Sequence, residues 1–512
     1  MKKGTRILLT GGGTAGHVNP ALAIGAALAE PGGETLFVGV RGRAEEQVVP
    51  REGIPIRFVR ASGFPGARPS LALARFLLDL SVGTLQAAAI LLSFRPDVIV
   101  GTGGFASAPV IFAATLLKKL GLSKARVFVH EQNAVPGKLN RLVGRFAEKV
   151  FVTFPETLSL FPGNGALTGY PVRRRLGHVT PEEARSRLDV PVPEGRTVVF
   201  AFGGSQGSRS LNRSLVDALG ELLPHADRLF VVHGTGLFKG TGYDAQADTE
   251  ARLAARYPAD VRERISTFYA ARSYFHDIAS AYALADLVVI RGGSGSLNEV
   301  ARLGIPALVV PKANLPGDHQ VANARALERA GGAEVLYEET VLENGHLTEV
   351  LDGGLLARRI LALADDPGRR AEMSRKGRDV LGVDAAAEIA HHVKQGKGSG
   401  EIDPTLVPAP TVVSNATLLS RLEKAAAAAG RGYRPGDVVE PRDLAWFRSR
   451  AASLLVRDEW EARNLGVKLL GLLDAKEKVP LLLALLADRT PAPLFQRMPG
   501  GDFAQVSFVR RN

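Results

Sequence analysis

Short apolar runs that end in a glycine cluster and lead into an amphipathic helical stretch recur along the first two thirds of this 512-residue chain. The first run is Arg6–Thr10, followed by GGGTAGH at 11–17 and a helix expected from Pro20 to Ala29. Strands are expected at 35–40, 98–100 and 126–130, with helices over 71–93 and 109–119. A second series starts after the proline-containing stretch 181–196. Its strands fall at 197–202, 229–233, 286–290 and 307–310, and its helices near 209–222, 276–284, 296–303 and 318–330. Alternation with glycines at the strand ends builds parallel sheets covered on both faces. The expected fold class is α/β, with two Rossmann-like doubly wound domains. Ligands then bind in a cleft at the carboxyl ends of the strands.

Composition narrows the chemistry. The chain has no cysteine, which excludes disulfides, thiol nucleophiles, Cys-ligated zinc and iron–sulfur clusters. The net charge of +12 is spread without a long basic run, and aromatics make up only 6%. That argues against a dedicated nucleic-acid binder and leaves an anionic small molecule or an anionic membrane surface as partner. After Lys2 and Lys3 the apolar run is only Ile7-Leu8-Leu9, too short for a secretory signal. Residues 98–117 carry no charge, but Gly101, Gly103, Gly104 and Pro109 divide them into strand, loop and helix.

Four regions are expected: an N-terminal domain at 1–165, a second α/β domain at 166–395, a Gly/Ser/Pro-rich linker at 396–416 and a helical extension at 417–512. The last helix before the linker is a candidate to return to the first domain. Its His391-His392 pair reads as a solvated helix face. In the extension, 459–473 and 478–488 resemble one HEAT-type helix pair. A single repeat cannot bury its own face. Leu465, Leu469, Leu472, Leu482 and Leu485 are therefore the expected docking face for a protein partner, which makes the extension dispensable for catalysis. An ordinary helical appendage is the plainer alternative.

Gly11, Gly13 and Gly16 fit G-x-G-x-x-G between a strand and a helix. A dinucleotide site also wants an acid at the end of the second strand. That strand ends Val40-Arg41-Gly42-Arg43, so an NADP-type reading stays open through the arginines. Two further loops, GGSQGSRSLN at 203–212 and RGGSGSLNE at 291–299, open helices in the second half. Loops on both sides of a cleft suit a nucleoside diphosphate carrying a second group.

Seven segments occur in order: GGGTAGHVNP (11–20), GTGGF (101–105), HEQNAVPG (130–137), TGYPVR (168–173), GGSQGSRSLN, RGGSGSLNE and DHQVANA (318–324). In these the chain resembles the MurG family of N-acetylglucosaminyltransferases, from about residue 5 to 395. The resemblance implies a GT-B fold, two Rossmann-like domains facing each other. It implies inverting transfer of GlcNAc from UDP-GlcNAc to the 4-hydroxyl of the muramoyl sugar of lipid I, giving lipid II for peptidoglycan synthesis. No cofactor or metal is expected, and nucleic acid is not a partner. The implied location is peripheral, on the cytoplasmic face of the bacterial inner membrane, in cell-wall growth, cell shape and division.

The resemblance also assigns residues. Thr14, Ala15, Gly16 and Asn133 lie against the donor sugar, and Gln320 reaches its hydroxyls. Arg173 and Ser205 approach the diphosphate. Tyr269 contacts uracil through its backbone. Ser294, Gly295, Ser296, Leu297, Asn298 and Glu299 line the nucleotide, with Glu299 accepting from the ribose diol. His17 is the expected catalytic base, because histidine titrates near neutrality; Glu131 is the other titratable group at hand. Arg291 is assigned no role, and His319 is either a nucleotide contact or a surface residue. The membrane patch falls around 65–93, where Asp79 weakens its grip on anionic lipid. A core-packing helix over 71–93 is the alternative. Rival functions are a glycosyltransferase acting on another lipid, an NADP-dependent oxidoreductase and an inactive scaffold.

Overall fold

The computed structural model describes Gly4 to Gln505, apart from residues 14, 65–70, 173–175, 239, 241, 316–317, 344–345, 382–383, 396–413, 458, 486–494 and 498–502. The first domain runs β1 (Arg6–Thr10), α1 (Ala15–Leu28), β2 (Glu34–Gly39), α2 (Ala44–Arg51), β3 (Ile56–Phe58), α3 (Leu71–Phe94) and β4 (Val98–Gly101). It continues with α4 (Ser107–Lys119), β5 (Arg126–Glu131), α5 (Lys138–Val143), β6 (Lys149–Val152) and β7 (Gly165–Leu167). Its seven strands are all parallel, ordered β3-β2-β1-β4-β5-β6-β7. The order reverses between β1 and β4, where a doubly wound sheet opens its ligand crevice. Strands such as Val98–Gly101 are buried along their whole length, as expected of a sheet covered on both faces.

The second domain runs α6 (Pro181–Arg187), β8 (Thr197–Phe202), α7 (Arg209–Leu222), β9 (Leu229–Gly234), α8 (Ala245–Arg256), α9 (Ala259–Ser266) and β10 (Tyr269–Arg272). Then follow α10 (Ile278–Leu284), β11 (Leu287–Ile290), α11 (Ser294–Leu303), β12 (Ala307–Val309), α12 (His319–Arg329) and β13 (Ala333–Val335). Its six parallel strands are ordered β10-β9-β8-β11-β12-β13, which repeats the reversal at β8 and β11. An antiparallel hairpin, β14 (Glu339–Glu343) with β15 (His346–Val350), precedes α13 (Gly353–Ala364), α14 (Pro367–Leu381) and α15 (Ala385–Gln395).

Helix α15 returns to the first domain. Ile389, Ala390 and Val393 are buried with Ile7, Leu9 and Phe151, and Lys394 pairs with Glu30 at 3.0 Å. The expectation of a solvated His391-His392 face is corrected for His392. It is buried, with its ring 5.5 Å from that of Phe151.

The extension forms α16 (Asn415–Ala429), α17 (Pro441–Ser453), α18 (Trp460–Leu472) and α19 (Val479–Ala484). Ser414 caps α16 by accepting the Thr417 N–H, so this helix begins within the last residues expected to be linker. A short antiparallel pair, β16 (Phe495–Arg497) with β17 (Phe503–Gln505), makes the extension less than wholly helical. The docking face is corrected as well. Leu469 and Leu485 are buried and Leu465, Leu472 and Leu482 partly buried in one cluster with Leu418, Leu422, Trp446 and Phe447. That cluster includes Val321, Tyr337 and Leu347 of the second domain. The leucines therefore face the chain's own extension and catalytic core.

Candidate active site at the interdomain cleft

The glycine loops after β1 and β4 touch. Gly12 N–H donates to the Gly103 carbonyl at 3.2 Å. Gly104 has φ +78°, and a Cβ there would stand 2.0 Å from the Gly12 carbonyl oxygen. Only glycine allows both that backbone angle and that approach. On the second domain Gly207 does the same, because a Cβ would lie 1.9 Å from the Thr235 oxygen.

His17 sits in the first turns of α1, half-buried, and Thr102 grips it twice. Its Nδ1 lies 3.0 Å from the Thr102 carbonyl, and the Thr102 hydroxyl donates to the His17 carbonyl at 2.6 Å. Gln132 Nε2 lies 3.0 Å from the same ring nitrogen. Burial lowers the His17 pKa below the usual 6.5, and His319 across the cleft pushes it the same way. A neutral imidazole at pH 7 is the form a general base requires.

Glu131 is used differently. Its Oε1 accepts the Asn133 N–H at 2.9 Å and Asn133 Nδ2 at 3.2 Å. Its Oε2 accepts Asn140 Nδ2 at 2.8 Å and the Gly137 N–H at 3.2 Å. Burial pushes its carboxyl up, and these donors pull it back. A carboxyl with both oxygens occupied holds the HEQNAVPG turn and offers no free lone pair to an acceptor hydroxyl.

Asn133 meets the second domain directly. Its Oδ1 accepts Asn323 Nδ2 at 3.1 Å, and Asn323 Oδ1 accepts the Ala134 N–H at 2.8 Å. Asn323 Nδ2 also lies 3.3 Å from the Gly292 carbonyl at the third loop. Asn323 was missed in the sequence, although it stands in DHQVANA, four residues beyond His319 and thus on one helix face with it.

On the second domain, Ser294, Gly295 and Ser296 form the first turn of α11. Gly293 caps it without a side-chain bond, so the first N–H groups remain for a ligand. Leu297 and Asn298 point into the core, with Asn298 Nδ2 donating to the Ser294 carbonyl at 2.7 Å. The Glu299 carboxyl accepts from the Tyr282 hydroxyl at 3.1 Å. Ser205 stands exposed on the second loop, and its carbonyl accepts the Leu237 N–H at 2.9 Å. Gln320 Oε1 accepts the Lys312 N–H at 3.0 Å. Ala15 and Gly16 open α1, while Thr14 and Arg173 lie outside the described residues.

Three residues take positions that the sequence did not show. Tyr269 opens β10 at its amino end, opposite Val231, with its side chain in the core and its hydroxyl 2.8 Å from His233 Nδ1. The carboxyl end of that strand, where ligands of a parallel sheet bind, is Arg272. Arg291, assigned no role from the sequence, is nearly buried and bonds Glu338 at 2.8 Å. Burial raises Glu338, but Arg291 and Lys312 outweigh it and hold the carboxyl below its usual value. The first loop does have an acid. Buried Glu45 accepts the Gly13 N–H and the Val40 N–H, both at 3.0 Å. It takes the N–H a phosphate would use, which leaves the second and third loops as the suitable anion sites. A first-turn acid of α2 just past β2 was the available signal.

Helix α3 is long and apolar enough to cross a membrane by length and composition, and most of its apolar stretch is not buried in the first domain. Leu71, Leu78, Leu85 and Leu92 recur every seven residues on its exposed side, with Leu71 87% and Leu85 72% exposed. Asp79 faces inward, 3.5 Å from Arg60. Beside it, Arg41, Arg60 and Arg75, together with Asp79, line a groove of about 330 Å³ at the ends of β2 and β3.

Residues 7–152 match the glycosyltransferase family 28 N-terminal domain, and residues 198–377 match its C-terminal domain. The chain is 35% identical over 395 residues to a UDP-N-acetylglucosamine--N-acetylmuramyl-(pentapeptide) pyrophosphoryl-undecaprenol N-acetylglucosamine transferase of Desulforudis audaxviator. That alignment covers 75% of this chain and 96% of the relative. A protein of the same description from Anaeromyxobacter is 37% identical over 388 residues, covering 75% and 92%. The structure of Acinetobacter baumannii MurG superposes with a TM-score of 0.55 at 24% identity, over 76% of this chain and 99% of that one.

Proposed function

This chain belongs to the pyrophosphoryl-undecaprenol N-acetylglucosamine transferases of glycosyltransferase family 28, and from that premise we infer that it moves GlcNAc from UDP-GlcNAc to the 4-hydroxyl of the muramoyl sugar of lipid I. The observation that carries this reading is the alignment over nearly the whole length of the relatives. The site chemistry agrees with it. In the tautomer whose Nδ1–H donates to the Thr102 carbonyl, Nε2 is left to take the proton of the acceptor hydroxyl. The acceptor oxygen forms its bond to the anomeric carbon from the face opposite the diphosphate, and the bond to UDP breaks with inversion. The first-turn N–H groups of α11, with the loop around Ser205, receive the charge that develops on UDP. Glu299 accepts from the ribose, and Asn133 and Gln320 hold the sugar.

The reading extends to the membrane side. Lipid I is membrane-bound, and α3 presents a leucine face beside an arginine-lined groove suited to lipid phosphates. Burying one such leucine is worth about 1.5–3 kcal/mol, and nearby cations add attraction to an anionic leaflet. The enzyme then works peripherally on the cytoplasmic face of the inner membrane, in cell-wall growth. The test is transfer of radiolabelled GlcNAc from UDP-GlcNAc to a short-chain lipid I analogue. Absence of labelled lipid II product, with the acceptor intact, would overturn the assignment.

A further inference from the structure

The extension grips the donor side of the second domain at the two places that shape its site. At the first, Arg450 Nε of α17 lies 3.0 Å from Asp318 Oδ2, and both side chains are about 5% exposed or less. Asp318 immediately precedes α12 and is held in the left-handed region at φ +47°, so its backbone sets the direction in which His319 and Gln320 enter the cleft. Asn314, on the same loop, donates through Nδ2 to the Arg450 carbonyl at 2.8 Å and also meets the Ser453 hydroxyl. At the second, the Ser449 hydroxyl donates to the Glu338 carbonyl, and the Glu338 carboxyl bonds Arg291 at the third glycine loop.

A buried carboxylate and a buried guanidinium each carry a desolvation cost that the partner charge offsets. Removing one strands the other, and here the stranded group is the entry to α12. Asp318 Oδ1 has no hydrogen-bond partner among the described residues; besides Arg450, the carboxyl is held by a hydrogen bond from the Asn314 backbone.

We propose that the C-terminal extension is a positioning element of the transferase, in which Arg450 holds Asp318 and thereby orients the His319–Gln320 turn toward the donor sugar. This rests on the assignment of Gln320 to that sugar. Arg450 touches no substrate and acts through Asp318.

The experiment compares UDP with UDP-GlcNAc by calorimetry on the full-length protein, in wild type, Arg450→Met and Arg450→Lys. Hydrogen exchange is followed over residues 311–325. Arg450→Met should bind UDP within about twofold of wild type but UDP-GlcNAc about tenfold more weakly, as when one well-made polar contact is lost. Exchange over 311–325 should rise, and Arg450→Lys, which keeps the charge, should recover much of the sugar-dependent affinity. Unchanged UDP-GlcNAc affinity in Arg450→Met overturns the proposal, even if exchange shows that the extension itself has loosened. Equal weakening of UDP and UDP-GlcNAc also overturns it, because the effect would then not reside at the sugar. Failure of the wild-type protein to bind UDP-GlcNAc would instead overturn the donor assignment beneath it.

Discussion

The Tyr170 hydroxyl donates to the Gly16 carbonyl at 3.4 Å, an acceptor that Pro20 leaves without its helical partner. In a regular helix the N–H of residue 20 would bond that carbonyl, and proline has none. Tyr170 lies between the domains, and a Cβ on Gly295 would stand 3.3 Å from the same hydroxyl. One side chain therefore fastens the first turn of α1 opposite the first turn of α11. Tyr170→Phe should cost about 0.5–1.5 kcal/mol of stability, the net worth of one hydrogen bond. It should also raise the KM for UDP-GlcNAc, because the two helix ends lose their spacer. Denaturant midpoints and donor kinetics check this; an unchanged KM would separate the bond from closure of the site.

His17→Ala should lower turnover about 100-fold while donor affinity is kept, the range for loss of a general base. Because burial holds the wild-type pKa below 6.5, turnover should be flat from pH 8 down to about 6.5 and fall only at lower pH. Glu131→Gln behaves differently. It should damage stability more than any pH limb, since Glu131 anchors four donors in its turn. An acid limb that disappears in Glu131→Gln would move the base to that carboxyl.

The parallel sheets and most helix limits were legible, because apolar runs followed by glycine clusters leave little freedom. Residues 197–202 and 209–222 form the expected strand and helix. Helix α1 was expected five residues late, since Pro20 reads as a helix start, yet Tyr170 supplies the missing donor from 150 residues away. Contacts of that range leave no local pattern. The same holds for Asn323 on Asn133, for Glu45 on Gly13 and for the extension, whose leucines carry a helical period but no sign of what covers them.

Glu299→Ala should weaken UDP-GlcNAc by about 1–3 kcal/mol, the cost of leaving buried polar partners unpaired. Those partners are the Tyr282 hydroxyl and, in the complex, the ribose diol. Calorimetry with UDP alone should show the same loss, because the contact is to the nucleotide. Transfer by the wild-type enzyme should survive EDTA, since backbone N–H groups at α11 and the second loop serve the diphosphate. Activity abolished by EDTA and restored by magnesium would mean that the diphosphate is held otherwise.

The exposed leucines of α3 bear on membrane attachment. Leu78→Asp with Leu85→Asp should abolish flotation with vesicles containing anionic phospholipid and leave transfer to a soluble acceptor analogue near wild type. Arg60→Ala, which opens the groove and frees Asp79, should weaken flotation and make what remains less salt-sensitive. Full flotation of the double variant would return α3 to an ordinary surface helix.

Two further buried histidines set how the fold responds to acid. Burial lowers His130 to about 4, while its Nε2 bonds the Gly169 carbonyl at 3.0 Å. Burial lowers His233 to about 3, between the Tyr269 hydroxyl and Asn212 Oδ1. In the unfolded chain both take up a proton near the ordinary value of 6.5. Their folded pKa values are depressed, so their contribution is fully present above pH 6.5 and is lost as pH falls toward 4 for His130 and 3 for His233. At pH 5 each should cost about 2 kcal/mol relative to pH 7, from 1.4 kcal/mol per pH unit per proton. Urea midpoints should drop between pH 7 and pH 5. His233→Gln, less stable at pH 7, should show a smaller drop, because one titrating group is gone. A drop equal to that of wild type would mean that His233 is already protonated in the folded protein, and that its burial does not exclude the charge.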